Sequence, residues 1–324
     1  MNNYLTRIHK TTLVALIGLL LSLLLPIMTV NAKETIKVGV LQYVEHDSLS
    51  ATYEGFVAGL EEAGYKDGDN LTIQFLNASG DNANMQTMTE ALGNNNDYLF
   101  AIATPAAQAL ANKVKNKPVY FSAVSDPVGA GLVKSLEKPG TNVTGTIDAG
   151  PIKEQVELLV NIIPNVKRVG ILYNSGETNS ISEAKKAREI MEEKGIEVEE
   201  ATVTSTNDVS QIVQSVLKKD IDALYTVTDN TIASSMTLVG DLAIDAKIPL
   251  IGGSKDMILE NGLATFGLDY FELGKQTAQM LVNQIEKDLK TEEIPVESAK
   301  NLELVINEKV AEKLGIDPKS IQAP

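Results

Sequence analysis

The sequence predicts an α/β protein of two doubly wound parallel-sheet lobes joined by a multi-crossing hinge, with a cleft between the lobes. Three observations predict it. Short β-branched runs alternate with amphipathic stretches along almost the whole chain, the pattern of strand–helix units that build a parallel sheet covered on both faces. The alternation comes in two series that echo each other. With 324 residues, 44% of them hydrophobic, there is enough chain for two cores.

The first series opens with an apolar run of buried-strand type over 36–41. A helix over 51–63 follows, with Tyr53, Phe56, Val57 and Leu60 at helical spacing and Gly64 as its stop. The unit repeats as strand 71–76 with helix 85–92 closed by Gly93, strand 98–103 with helix 106–114, and strand 118–123 with helix 128–136. The second series begins after Pro151 with helix 152–163, strand 168–173, helix 181–194 and strand 197–203. It continues with helix 209–218, strand 223–227, helix 232–246 and strand 249–252.

Gly145, Gly150 and Pro151 punctuate an extended segment over 144–151, which sets the junction there. Further crossings are expected near 265–268 and 291–299, because the helix over 271–287 serves one lobe and the strand over 302–306 returns to the other. The expected division is 33–147 with 268–292 for the first lobe, and 148–267 with 293–324 for the second.

Ahead of the lobes, Arg7, His9 and Lys10 precede an apolar stretch over 13–30 broken at Ser22, Pro26 and Thr29. This is the layout of an export signal, and Val30-Asn31-Ala32 offers small residues for cleavage after Ala32. At about 18 residues the stretch also reaches the lower limit for a membrane span. The segment 1–32 is therefore read as a signal peptide or an N-terminal anchor. Both readings place the protein outside the cytoplasm, in the periplasm or at the extracellular face of the membrane.

Composition removes several function classes. The 28 basic residues less Arg7 and Lys10 leave 26 against 43 acidic ones, a formal charge of −17 for the exported part. Such a surface does not release counterions from phosphate, so nucleic acid is not expected as a partner. The absence of cysteine excludes disulfides, thiolate metal sites, a cysteine nucleophile and lipid attachment through cysteine. Only His46 remains once His9 is removed, no G-x-S-x-G elbow is present, and no His-rich zinc site is possible. No catalytic residue, metal or cofactor is expected.

Two short motifs are set aside. Gly274-Lys275-Gln276-Thr277 has Asp269 where a phosphate loop requires glycine, and Lys275 falls within a predicted helix. Gly129-Ala130-Gly131 lacks the third glycine of a dinucleotide fingerprint and reads as helix packing.

The echo between the series lies at two strand ends. Tyr98-Leu99-Phe100-Ala101-Ile102-Ala103-Thr104-Pro105 corresponds to Ala223-Leu224-Tyr225-Thr226-Val227-Thr228-Asp229-Asn230, each followed by a helix and a Pro-led strand. Ligands of open parallel sheets bind beyond the carboxyl ends of strands, so loops from two facing lobes converge on one cleft. Thr104 brings a hydroxyl, and Ala106 and Ala107 bring backbone N–H groups at the positive end of a helix, a site for a carboxylate. Asp229 in the matching loop suits an ammonium group. Each of Thr104 and Asp229 has an equal claim to a helix cap, and the two roles are compatible. Together they suit a zwitterion, hence an amino acid.

Other strand ends add Gln42, Tyr43 and His46 after the first strand, Ser122 and Ser125 after the fourth, and Asn174 in the second lobe. Glu177 reads as surface, and Asp126 as a helix start. Tyr43, Phe121, Tyr173 and Tyr225, near strand ends, read either as core or as stacking partners for an aromatic ligand.

The motifs with Gln42 and His46, Asn77-Ala78-Ser79-Gly80-Asp81, Ala103-Thr104-Pro105-Ala106-Ala107-Gln108 and Ser122-Ala123-Val124-Ser125-Asp126-Pro127-Val128 follow one family's order. So do Val143-Thr144-Gly145, Leu172-Tyr173-Asn174 and Asn307-Glu308-Lys309-Val310-Ala311-Glu312-Lys313-Leu314-Gly315. Nearly the whole chain resembles ABC-transporter substrate-binding lipoproteins that include tryptophan-binding importer components.

The resemblance implies a periplasmic-binding-protein-like type I fold, hinge closure on a small ligand such as tryptophan or phenylalanine, and docking to a permease and ATPase pair. It implies Thr104 and Ser125 as contacts of the first lobe, and Asn174 and Asp229 as those of the second. A monomer is expected. The chain departs from the family in lacking the cysteine that carries the lipid. A ligand-sensing subunit for a signalling receptor, or a binder of a sugar or nucleoside, would use the same architecture.

Overall fold

The computed structural model describes residues 35–324, and the expected export segment 1–32 lies outside the described residues. Among the described residues no helix is long and apolar enough to cross a membrane.

The first lobe is laid down as β1 (Ile36–Gln42), α1 (Asp47–Glu62), β2 (Leu71–Asn77), α2 (Asn82–Asn95), β3 (Tyr98–Ile102), α3 (Thr104–Lys113), β4 (Val119–Ser122) and β5 (Val143–Ile147). The second follows as α4 (Ile152–Ile162), β6 (Arg168–Asn174), α5 (Thr178–Glu193), β7 (Glu197–Val203), α6 (Thr206–Leu217) and β8 (Ala223–Thr226). It continues through α7 (Asn230–Ala233), α8 (Met236–Asp245), β9 (Leu250–Gly252), α9 (Lys255–Glu260) and β10 (Ala264–Leu268). The chain then returns for α10 (Tyr270–Lys287) and β11 (Glu297–Ser298), and ends with β12 (Leu302–Ile306) and α11 (Glu308–Leu314).

Two six-stranded sheets result among the described residues, ordered β11-β5-β4-β3-β1-β2 and β12-β10-β9-β8-β6-β7. Every pairing is parallel except β10 with β12. Because successive side chains on a strand point to opposite faces, Leu99 and Ala101 of β3 enter one apolar cluster and Phe100 and Ile102 the other. Val169 and Ile171 of β6 likewise face away from Leu172. Each fully buried Leu or Phe of these layers stabilises the fold by roughly 1.5–3 kcal/mol.

The chain passes between the sheets three times: after β5, between β10 and α10, and between β11 and β12. The last passage corrects the expected boundary at 292. Glu297 and Ser298 pair with Thr146 and Ile147, so the chain stays with the first sheet through Ser298.

α10 packs on α1 at a distance that only glycine permits. A Cβ on Gly274 would lie 2.1 Å from Thr52 O, and one on Gly55 would lie 1.9 Å from Phe271 O. The Gly274-Lys275 pair thus serves helix packing, inside a helix as its sequence context predicts.

Local departures have identifiable causes. The helix expected over 128–136 is a turn: Asp126 Oδ1 accepts from Gly129 N at 2.8 Å, and Gly131 takes φ +74°, so no helix propagates. The helix expected over 232–246 is broken between Ala233 and Met236, where Ser234 Oγ donates back to Thr231 O at 2.9 Å. Gly93 lies inside α2 instead of closing it, at a place where a Cβ would meet Val114 Cγ2 at 2.7 Å.

Candidate functional site

A doubly wound sheet opens a crevice at the carboxyl ends of the two strands where its order reverses. Those strands are β1 and β3 in the first sheet, where Gln42 pairs with Ile102, and β6 and β8 in the second, where Leu172 pairs with Thr226. The loops beyond them face each other across the lobes. His46 Nε2 lies 3.4 Å from Asn230 Oδ1, and Ser48 Oγ lies 2.9 Å from Ser254 Oγ. Ser182 Oγ donates to Asp126 Oδ2 at 3.3 Å.

Two spaces lie between these loops. An inner cavity is lined from both lobes by residues that include His46, Ser125, Asp148, Asn179, Asp229 and Ser254, and has a volume of only about 10 Å³. That is room for at most one water molecule, so any larger ligand enters only when the lobes part. An outer groove of about 700 Å³ is lined by Tyr43, Met85, Pro105, Gln108, Asn174 and Glu177, among others.

The electrostatics of the crevice are one-sided. Asp148, Glu177, Glu183 and Asp229 are each no more than 3% exposed, and no Lys or Arg lines the inner cavity. Burial pushes all four carboxyls up, because a charge without water is disfavoured. Glu183 rises from 4.5 to about 7, with the neighbouring charge of Asp148 adding to burial. His46 moves the other way, to about 4, since burial outweighs its bond to Asn230. Burial, then the charges of Glu177 and Asp229, push the Tyr43 hydroxyl to about 12. Tyr43, of the first lobe, therefore faces carboxylates of the second.

In three of the four acids both carboxylate oxygens are met by donors. Asp229 Oδ1 accepts from Ile232 N at 2.7 Å and Oδ2 from Asn174 N at 2.6 Å, so this side chain caps α7 and ties β6 to β8. Asp148 accepts from Ser125 Oγ at 3.0 Å and Tyr270 Oη at 2.8 Å. Glu177 Oε1 accepts from Thr231 Oγ1 at 2.9 Å. Glu183 Oε2 accepts from Thr228 N at 2.8 Å, but its Oε1 has no partner, with Ser125 Oγ committed to Asp148. Gln42 Oε1, Thr104 Oγ1 and Asn179 Oδ1 are likewise buried without a partner. Each of these oxygens can accept a hydrogen bond from water or from a bound molecule.

The residues singled out in the sequence distribute as follows. Tyr43 and Asn174 line the outer groove, while His46, Ser125 and Asp229 line the inner cavity. Gln42 and Thr104 end β1 and begin α3, each with an orphaned oxygen. Ala103, at φ +81°, takes the cap position instead of Thr104. Ala106 is in the first turn of α3, whereas the amide of Ala107 donates to Ala103 O at 3.0 Å and is spent within the helix end. Ser122 is withdrawn from the crevice: its Oγ lies 2.9 Å from Thr146 Oγ1, which lies 2.7 Å from Thr277 Oγ1, a hydroxyl chain in the core.

Among the four aromatics, Phe121, Tyr173 and Tyr225 are core residues, Tyr225 bonding Gln155 Oε1 at 2.7 Å, and Tyr43 lines the groove. Glu177 is buried, not at the surface, because the 174–177 turn folds it back onto Asn230 and Thr231. Asp148, Asn179, Glu183, Ser254 and Tyr270 were missed. A signal existed for Glu183, which shares the buried face of α5 with Ala184, Ala187 and Met191 at helical spacing. Asp148 had none, since it is placed by a crossing segment.

Comparison with known proteins agrees with this geometry. The family described as ABC transporter substrate binding protein matches residues 37–321. A tyrosine-binding protein of Clostridioides difficile is 38% identical over 90% of this chain and 84% of its own. A solved ABC domain from Streptococcus pneumonia in complex with L-Trp is 42% identical, superposes with a TM-score of 0.85, and covers 89% of this chain and 97% of that one. A ligand-free, open substrate binding protein of Clostridium difficile is 40% identical over 87% of this chain and 95% of that one, but superposes at only 0.67. At similar identity the poorer fit to an open form accords with the hydrogen bonds that join the lobes here. On its family match, its two parallel-sheet lobes and these relatives, the chain belongs to the ABC transporter substrate-binding proteins, with the type I periplasmic-binding-protein fold.

Proposed function

We propose that the protein captures a free aromatic amino acid outside the cytoplasm and presents it, lobes closed, to the permease and ATPase of an importer. The observation that carries this reading is that Asp148 and Asp229, both buried, line the inner cavity with no cation among its lining residues. An acidic pocket of this kind is completed by an ammonium group. The relatives that bind tyrosine and hold L-Trp support an aromatic side chain.

In this reading Asp229, held rigid by two backbone amides, faces the ammonium, with Asn174 and Ser125 flanking it. Gln42, Thr104 and the amide of Ala106 take polar atoms on the first-lobe side, His46 stays neutral beside them, and Tyr43 packs on the ring. A ligand that bridges both lobes makes more contacts with the closed than with the open state, so it shifts the population toward the form that docks.

A thermal-shift screen against the twenty amino acids, nucleosides and small sugars tests this directly. Saturation at about 100 times Kd raises unfolding free energy by about 2.7 kcal/mol, so tyrosine, tryptophan or phenylalanine is expected to raise Tm by several degrees. Stabilisation by sugars or nucleosides with none from any amino acid would contradict the reading.

A further inference from the structure

Glu183 stands apart from the other three buried acids. It belongs to α5 of the second lobe, yet it feels the charge of Asp148, just after β5, where the chain leaves the first lobe. Ser125, which follows β4 of the first lobe, lines a space of about 290 Å³ together with Glu183 and also bonds Asp148. The pair is thus assembled from both lobes and a crossing segment, with Ser125 of the first lobe reaching both acids.

Its surroundings supply no fixed positive charge in contact. Tyr270 Oη is spent on Asp148, and Tyr225 of β8, whose hydroxyl is pushed up by burial and by Glu183, bonds Gln155 of α4. Asp126 is bonded to Ser182, and the second-lobe side adds the acids Asp229 and Glu177. Asp256, near the crevice, is raised by burial, and His46 is held neutral. Lys186 and Glu189 share the 290 Å³ space with Glu183 but are exposed. Asn179, one turn before Glu183, is among the residues lining the inner cavity.

Two carboxylates in one dry site cannot both ionise at modest cost, so the shut cleft takes up a proton that the open, hydrated one releases. We propose that the Glu183–Asp148 pair carries one proton when the cleft is shut without ligand, and that the ammonium group of an incoming ligand takes that proton's place. Closure without ligand is then acid-favoured, and capture of an ammonium ligand expels a proton to solvent. The ligand half of this statement rests on the amino-acid reading above; the proton half does not.

Small-angle scattering on the ligand-free protein tests the proton half. The radius of gyration is expected to increase as pH is raised through about 7, between about pH 5 and about pH 9. Glu183→Gln and Asp148→Asn, each checked for folding by circular dichroism, are expected to flatten that profile, and either one suffices should the other fail to fold. A pH-independent radius in the parent, or an unchanged profile in the variants, overturns the proposal.

Calorimetric titration with L-tyrosine and L-tryptophan, in buffers of different ionisation enthalpy near pH ~6, tests the ligand half. Release of about one proton per ligand is expected, falling to about zero in Glu183→Gln with affinity lowered about tenfold. Binding without proton release overturns the exchange. Binding of neither amino acid overturns the amino-acid reading instead, and the scattering profile still decides whether the pair latches the cleft.

Discussion

Tyr270 Oη donates to Asp148 Oδ2 at 2.8 Å, a buried bond between the residue that opens α10 and the residue that follows β5. It fastens two of the three segments that cross between the lobes. Tyr270→Phe leaves a buried carboxylate one donor short, which costs about 1–3 kcal/mol. Thermal unfolding of the variant is expected to show a Tm lowered by several degrees; an unchanged Tm would mean that the bond contributes nothing.

Asp229 spends both oxygens on backbone amides, Ile232 N and Asn174 N. Asn at this position offers a single acceptor oxygen, and Ala none. Asp229→Ala is expected to lose about 2 kcal/mol or more in a urea titration, with Asp229→Asn intermediate. Equal stability of the two variants would deny the double tether.

The buried titratable groups set a window of stability. Glu183 ordinarily titrates at 4.5 and is pushed up to about 7, so the stability that goes with its protonated form is complete below about 4.5 and lost as pH rises through about 7. Asp148, Glu177 and Asp229 are shifted in the same direction. His46, lowered from 6.5 to about 4, acts oppositely: the stability of its neutral form is complete above 6.5 and lost as pH falls through about 4. The urea midpoint is therefore expected to be highest near pH ~5.5 and lower at about pH 8. A midpoint that climbs steadily to pH ~8 would show that the acids are not held protonated in the fold.

Gly274 marks the closest approach of α10 to α1, with Thr52 O 2.1 Å from where its Cβ would stand and Phe56 N at 2.8 Å. Both neighbours are backbone and cannot turn aside. Gly274→Ala is expected to cost about 1–3 kcal/mol by chemical denaturation, despite alanine's better helix propensity.

Tyr43 is half-exposed in the outer groove, facing Asn174 and Glu177 from the opposite lobe. Stacking against an aromatic ligand is worth about 0.5–1.5 kcal/mol beyond the buried area. Tyr43→Ala is expected to weaken binding of the aromatic amino acid about tenfold, while Tyr43→Phe stays within about threefold. Calorimetry showing equal losses for the two would assign the effect to the hydroxyl.

Much of the crevice is legible from strand ends alone. Asp229 and Thr104 could be placed at strand ends because parallel strands lead into helices at their carboxyl ends and the two series repeat one unit, and of the two Asp229 lines the inner cavity. Ser122 sits at such an end too, but the face of β4 on which it falls looks into the core, where Thr146 and Thr277 take up its hydroxyl. The turn over 128–136 was misread because apolar spacing outweighed two glycines and the pull of Asp126 on the Gly129 amide.

By itself the sequence determined the alternation of strands and helices, the two sheets, and the loops that reach the crevice, since these follow from periodicity, glycine and proline placement and the repetition of one local unit. Only the tertiary structure decided which acids meet there. Asp148, Glu183 and Tyr270 lie far apart along the chain and are joined by crossing segments whose path depends on how two sheets face each other. Their altered ionisation comes from lost water and, for Glu183 and Tyr270, from the charge of Asp148, which no single stretch of sequence contains.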